Sequence, residues 1–132
     1  MQTKLNASVV ERRPKTHVPA FVPGSYIADT ALRIAAYRQL AEVTTHEQLH
    51  RLAKDWRDRF GKFPLAVDNL LLLTEIRLAA AKAGIQRVEV REDKVMLTRR
   101  GEFILVAGKF PRIGSVTIDQ HLEEILALLR KL

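Results

Sequence analysis

The chain has 132 residues, a formal net charge of +7 and no cysteine. The length suits one domain, and the lack of cysteine excludes disulfides, thiolate zinc sites and cysteine nucleophiles. A hydrophobic fraction of 47% argues against wholesale disorder, and the sequence has neither a membrane-length apolar run nor the apolar core of a signal peptide. We therefore expect a cytoplasmic protein with no membrane partner.

The positive charge is unevenly distributed along the chain. Residues 1–25 hold four basic residues and one acidic residue, whereas 26–84 and 85–132 each have a net charge of only +2. Residues 1–17 are predicted to be an extended or disordered leader, because prolines here and just beyond resist helix formation. Residues 18–132 are predicted to form a single α+β domain. Because the rest of the chain is nearly balanced, direct nucleic-acid contact is possible but not favoured.

Helical periodicity predicts three helices before Gly84, which is expected to end the third. Asp29 is a plausible N-cap for the first helix, and Thr45 with Gln48 fits a capping box that starts the second. Gly61 stands where a left-handed residue closes a helix, and Pro64 prevents simple continuation. The expected inward residues are Ile34, Tyr37, Leu40 and Ala41 in the first helix, Leu49, Leu52, Ala53, Trp56 and Phe60 in the second, and Val67, Leu70, Leu71, Thr74 and Leu78 in the third.

After Gly84 the apolar period shortens from 3.6 towards 2, which predicts strands. Alternation at 87–91 and 94–98 indicates a hairpin with a turn at Glu92-Asp93, and Arg100-Gly101 reads as a second turn. The apolar run 103–107 is expected to be a strand covered on both faces, and 115–118 a further short strand. Asp119 is expected to cap a closing helix whose inward stripe is Leu122, Ile125, Leu126 and Leu129. The predicted fold class is α+β: a three-helix segment, a small antiparallel sheet and a C-terminal helix.

One motif suggests metal chemistry, since His46-Glu47-Gln48-Leu49-His50 matches H-E-x-x-H. On a helix this spacing places both imidazoles on one face for zinc, with Glu47 as a general base and Glu75 as the best third ligand. His46 would lie at a fraying helix end, and Arg51 and Lys54 add unfavourable positive charge. We therefore favour exposed histidines without a metal, and keep a zinc hydrolase as an alternative.

The second predicted helix carries a dense group of charges near its end. Asp55, Asp58 and Arg59 share one face because they are spaced i, i+3 and i+4. The group is either a solvated face with weak local ion pairs or a docking patch for a partner of complementary charge. For docking, the charged residues must be exposed while Trp56 and Phe60 are buried.

Several segments resemble the C-terminal domain of bacterial transcription-repair coupling factor, the Mfd family. The first group is Ala20-Phe21-Val22-Pro23, Tyr26-Ile27, Asp29, Arg33-Ile34, Tyr37-Arg38 and Leu40-Ala41. An acidic residue, Asp-Arg-Phe-Gly and Pro then follow as Asp55, Asp58-Arg59-Phe60-Gly61 and Pro64. The last group is Leu70-Leu71, Arg77-Leu78, Ala81 and Gly84-Ile85. The resemblance is close over roughly 18–85.

The resemblance implies a regulatory domain without enzymatic activity or a cofactor of its own. In that family the parent protein is an ATP-dependent DNA translocase that displaces stalled RNA polymerase and recruits UvrA. Its C-terminal domain masks the UvrA-binding surface of a UvrB-like domain, and by position the contact residues here are Asp55, Asp58 and Arg59. Because the family's motor domains have no counterpart here, we expect an excised domain or fragment. A small basic nucleic-acid-binding module that uses the leader with Arg87, Arg91, Arg99 and Arg100 is the other alternative.

Overall fold

The computed structural model describes residues 4–5, 18–114 and 118–132. The chain divides into two compact units, a helical unit of residues 19–78 and a sheet unit of residues 1–18 and 79–132. The α+β class predicted from the sequence is confirmed. No helix among the described residues is long and apolar enough to cross a membrane.

The helical unit contains helices α1 (Thr30–Glu42) and α2 (His46–Phe60) and most of α3 (Leu65–Lys82). The Asp29 side chain accepts a hydrogen bond from the amide of Leu32, so Asp29 is the N-cap of α1 as predicted. Thr45 and Gln48 form the predicted capping box at the start of α2. The buried core consists of Val22, Ile27, Ala36, Leu40, Val43, Leu49, Trp56 and Val67.

The predicted apolar face of α1 is wrong at three of its four positions. Ile34 and Tyr37 are 55% and 40% exposed, and Ala41 is also exposed, whereas Ala36 and Leu40 are the buried residues. A helix that carries apolar residues on more than one side can bury either side. Here the core takes the side with the small Ala36, which permits close packing.

The sheet unit contains four strands in the order β1 (Lys4–Leu5), β2 (Arg87–Arg91), β3 (Lys94–Arg99) and β4 (Glu102–Phe103). Strand β1 pairs in parallel with β2, and the other neighbours are antiparallel. The rest of the predicted leader lies outside the described residues. The alternation predicted for the central hairpin is confirmed, because Val88, Val90, Val95 and Leu97 are buried.

The prediction of a covered strand over 103–107 is wrong. Strand β4 ends at Phe103, and the positive φ angles of Ala107 (52°) and Gly108 (76°) turn the chain back so that Val106 pairs with Lys109. Because the run folds on itself instead of extending a strand, Phe103, Leu105 and Val106 are about half exposed.

The closing helix α4 spans Ile118–Arg130 and buries the predicted stripe Leu122, Ile125, Leu126 and Leu129. Residues 115–117 of the last predicted strand lie outside the described residues, and Ile118 already belongs to the helix. Asp119 therefore lies within α4 and not before its start.

Candidate docking site at the end of helix α2

The last turns of α2 display three charged side chains on one exposed face, which we call the α2 charged face: Asp55, Asp58 and Arg59. A guanidinium nitrogen (Nη1) of Arg59 lies 3.2 Å from Oδ2 of Asp55, and the side chains are 47% and 50% exposed. An ion pair in such a wet setting contributes only a few tenths of a kcal/mol. It can therefore exchange for a partner's charges at small cost.

Asp58 lies at one edge of this face, since helical geometry places Asp55 between it and Arg59. Within the described ranges, its side chain forms no hydrogen bond or ion pair. The face therefore presents one exposed carboxylate beside one exposed pair of opposite charges.

Aromatic side chains support the end of α2 beside this face. Trp56 is only 1% exposed, and Phe60 is half-buried against the core. The guanidinium carbon of Arg59 lies 4.8 Å from the centroid of the Phe60 ring, a cation–π contact. Arg59 thus has an aromatic support on one side and Asp55 on the other.

Gly61 ends α2, and Tyr26 holds that end in place through hydrogen bonds. Gly61 has φ +96° and ψ −164°, a conformation open mainly to glycine, and its amide donates to the carbonyl of Arg57. The Tyr26 hydroxyl donates to the carbonyl of Gly61 at 2.8 Å and lies 3.2 Å from that of Trp56. The position of the charged face therefore depends on a residue about thirty positions earlier in the chain.

Tyr26 is the residue whose role the sequence analysis missed, since only the family resemblance drew attention to it. Its ring meets those of Phe60 and Phe63 edge-on, at centroid distances of 5.8 and 6.2 Å. Burial raises the pKa of the Tyr26 hydroxyl, the positive charge of Arg57 opposes that rise, and the negative charge of Asp68 adds to it. The phenol is therefore held in its neutral form, which can donate hydrogen bonds.

Pro64 and Tyr37, two other residues of the family motif, make hydrogen bonds within the helical unit. The Pro64 carbonyl accepts the amides of Val67 and Asp68 at the first turn of α3. The Tyr37 hydroxyl accepts the amide of Val22 at 2.7 Å, so this partly exposed residue ties α1 to the segment before it.

Gly84 follows the end of α3 with φ +74°. The amide of Gly84 donates a hydrogen bond to the carbonyl of Ala81, and the amide of Ile85 donates one to the carbonyl of Ala80. This is the Schellman pattern that closes many helices.

The H-E-x-x-H motif lies at the opposite end of α2 and gives a mixed outcome. His46 and His50 are exposed, with ring centroids 4.3 Å apart. Glu75 on α3 joins them, since one potential ligand atom from each of the three residues lies within 4.8 Å of the others. Glu47 is not part of this group, so the structure brings together the predicted ligands without including the predicted base.

The arginines of the nucleic-acid alternative lie in the sheet unit and are all exposed. They do not form one stripe. Arg87 pairs with Thr98 across the hairpin, so Arg99 points to the other side of the sheet. Arg87 also lies 3.6 Å from the carboxylate of Glu89, which neutralises part of its charge.

Comparison with known proteins links the chain to one group. The profile of the TRCF domain family matches residues 16–102. A transcription-repair-coupling factor of Rickettsia prowazekii is 32% identical over 73 residues, 55% of this chain and 6% of that protein. The corresponding protein of Buchnera aphidicola is 37% identical over 73 residues, 55% of this chain and 9% of that protein. The chain thus spans less than a tenth of these relatives.

A solved structure extends the likeness of fold to nearly the whole chain. The crystal structure of the C-terminal domain of a transcription-repair coupling factor superposes with a TM-score of 0.65 over 98% of this chain and 94% of that one. Sequence identity over this match is 16%. This second comparison therefore concerns the fold alone.

Proposed function

Because the chain belongs to the TRCF domain family of bacterial transcription-repair coupling factors, we propose that it is a non-catalytic regulatory domain. Its partner is the UvrB-like domain of the same parent protein, and docking masks the surface that recruits UvrA. The ATP-dependent movement on DNA and the displacement of stalled RNA polymerase belong to the parent protein. This domain acts as its restraint and needs no cofactor.

The observation that carries the proposal is the exposure of Asp55, Asp58 and Arg59 on one face of a rigid helix end. A solvated surface needs no fixed orientation of its charges. Here the buried Trp56 and the hydroxyl of Tyr26 hold the backbone beneath them, and Phe60 supports Arg59. Preorganisation of this kind lowers the entropic cost of binding.

The chemistry of the face suits a contact that must open. Charge pairs at the rim of an interface give specificity and fast association more than high affinity. A face that offers both signs rejects partners whose charges are arranged differently. When the partner leaves, water and local ion pairs, such as that of Arg59 with Asp55, replace the partner's charged groups.

The test is a direct binding titration of this chain with a purified UvrB-like domain of a transcription-repair coupling factor. We expect Asp58→Arg and Arg59→Glu each to weaken binding by about tenfold or more, because each places like charges together at the contact. Wild-type affinity should fall as salt rises from about 0.05 to 0.5 M, since the contact is wet and screened.

Glu123→Arg is the matched control, because Glu123 is an exposed acidic residue on α4 and the charge change equals that of Asp58→Arg. Both variants must keep the wild-type circular dichroism spectrum. Equal weakening by the two variants would mean a general charge effect, and unchanged binding in Asp58→Arg would refute the docking face.

A further inference from the structure

The two histidines of the H-E-x-x-H motif and one distant glutamate form a second cluster of polar side chains on the helical unit. His46 and His50 lie on α2 and Glu75 on α3, and one potential ligand atom from each is within 4.8 Å of the other two. Both imidazoles are exposed and Glu75 is half-buried. The docking function uses none of these residues.

The start of α2 holds the histidines in place. The hydroxyl of Thr45 accepts the amide of Gln48 at 3.1 Å, and Oε1 of Gln48 accepts the amides of Thr44 and Thr45. A first turn capped in this way does not fray, so His46 stays one turn from His50. Leu49, which lies between them in sequence, is 2% exposed and anchors the turn in the core.

The position of α3 brings Glu75 to the same place. Arg77, two residues further along, donates to the carbonyls of Leu40 and Val43, at 3.3 and 3.0 Å. These carbonyls end α1 immediately before the turn that starts α2. The guanidinium therefore ties α3 to the chain next to the histidine pair.

Two imidazoles and one carboxylate are a donor set that suits zinc and related transition-metal ions. Tetrahedral zinc bonds of about 2.0–2.1 Å place two ligand atoms about 3.3 Å apart. Ligand atoms already within 4.8 Å can reach that spacing by rotation of the two exposed imidazoles towards Glu75. Calcium and magnesium prefer sets made of oxygen atoms alone.

We propose that His46, His50 and Glu75 form a binding site for a zinc-class divalent ion that links the first turns of α2 to the middle of α3. The ion takes three protein ligands and keeps its remaining position for water. Arg51 and Lys54 lower the affinity through their positive charge. The bound ion connects two helices. The site lies at the start of α2, whereas the α2 charged face lies at its end.

The test is calorimetric titration of zinc chloride into the chelator-treated, desalted chain at about pH 7.5. Wild type should bind one ion at this site. Glu75→Gln and His50→Gln should each weaken that binding by at least about tenfold, since removal even of groups that only orient zinc ligands costs 10–100-fold. Glu47→Gln is the matched control for Glu75→Gln, with the same charge change on a residue outside the cluster, and should weaken binding less than about twofold.

Cobalt(II) provides a second measurement that depends on geometry. Cobalt-loaded wild type should show the strong visible absorption of four-coordinate cobalt, and Glu75→Gln should lose it while keeping the apo circular dichroism spectrum. Zinc should also raise the melting temperature of wild type more than that of Glu75→Gln, since an ion bound only to the folded state stabilises it.

Three results would overturn the proposal. One is the absence of zinc binding at 0.1 mM metal, and another is equal weakening by Glu75→Gln and Glu47→Gln. The third is binding that survives in Glu75→Gln but not in His50→Gln, which would mean a simple histidine pair without the link to α3.

Discussion

Two residues support the α2 charged face without contributing to its charge. Tyr26 reaches the end of α2 through its hydroxyl, and Gly61 supplies the turn that ends the helix. Neither residue carries a charged side chain. Their effects on stability should therefore be measurable apart from their effects on binding.

Tyr26→Phe should lower the free energy of unfolding by about 1 kcal/mol at pH 7, because it removes the hydrogen bonds to Trp56 and Gly61 but keeps the ring contacts. The folded-state pKa of Tyr26 is raised above its ordinary value of 10.0. Its stabilisation is therefore complete below about pH 10 and falls as the pH rises further. Urea unfolding at pH 7 and at about pH 11 should show the difference between wild type and variant shrinking at high pH. A difference that stays constant would mean that the hydroxyl is not held neutral.

Gly61→Ala should destabilise the chain by about 1–3 kcal/mol, the range for a non-glycine residue held in such a conformation. A Cβ at this position would meet no atom within 4 Å, so backbone strain is the whole cause. Gly114→Ala is the control, because its surroundings are equally open and its φ lies outside the positive range that strains other residues. The melting temperatures of the two variants separate the effect of backbone strain from that of replacing any glycine by alanine. Similar losses in both would contradict the strain argument.

At the scale of elements, α2 is the helix on which both candidate sites depend. Its capping box orders the first turn and the histidine pair, and its glycine end orders the charged face. Loss of the cap should therefore act locally on the first turn.

Thr45→Ala should cost about 1 kcal/mol of stability, because the Gln48 amide loses its side-chain acceptor. Thr45→Ser should retain nearly all of it, since serine caps as well as threonine. Hydrogen exchange should show faster exchange at Gln48 and Leu49 in the alanine variant and little change near Phe60. Faster exchange along the whole helix would instead mean that α2 opens as one unit.

Local signals predicted α2 well and α1 poorly. In α2, charged residues separate the apolar positions, so one face only can be buried and Trp56 falls on it. In α1, Ile34 and Tyr37 are as apolar as the side that the core selects, and periodicity cannot choose between them. Tertiary packing buries the side with Ala36 and Leu40, and the Tyr37 hydroxyl accepts the amide of Val22.

For the candidate sites too, local sequence patterns predict helical faces but not contacts between distant segments. The spacing of Asp55, Asp58 and Arg59 was sufficient to place them on one face, because helical geometry alone determines it. The bond from Tyr26 to Gly61 spans 35 positions and has no local signal. Glu75 could be nominated as a ligand only because it lies midway along the next helix, and its approach to His46 depends on how the helices pack.

At the scale of the whole molecule, the charge of +7 is the property most open to misreading. A protein with this charge binds duplex DNA weakly at low salt whatever its function, through release of counterions. Nearly half of the excess lies in residues 1–17, whereas the arginines of the sheet do not form one stripe. A functional DNA-binding surface should behave differently from this general attraction.

We therefore expect binding to a 20-base-pair duplex to be detectable near 0.05 M salt and lost near 0.2 M. Replacing Arg12, Arg13 and Lys15 together by glutamine should reduce the slope of log affinity against log salt by up to about 3, at roughly 0.9 per phosphate contact. Arg87→Gln with Arg91→Gln should have the smaller effect, because Glu89 already pairs with Arg87. Fluorescence anisotropy over a salt series measures all three proteins. Binding that persists at 0.2 M and disappears with the sheet arginines would make the domain a nucleic-acid module, since a partner-docking domain has no use for such a surface.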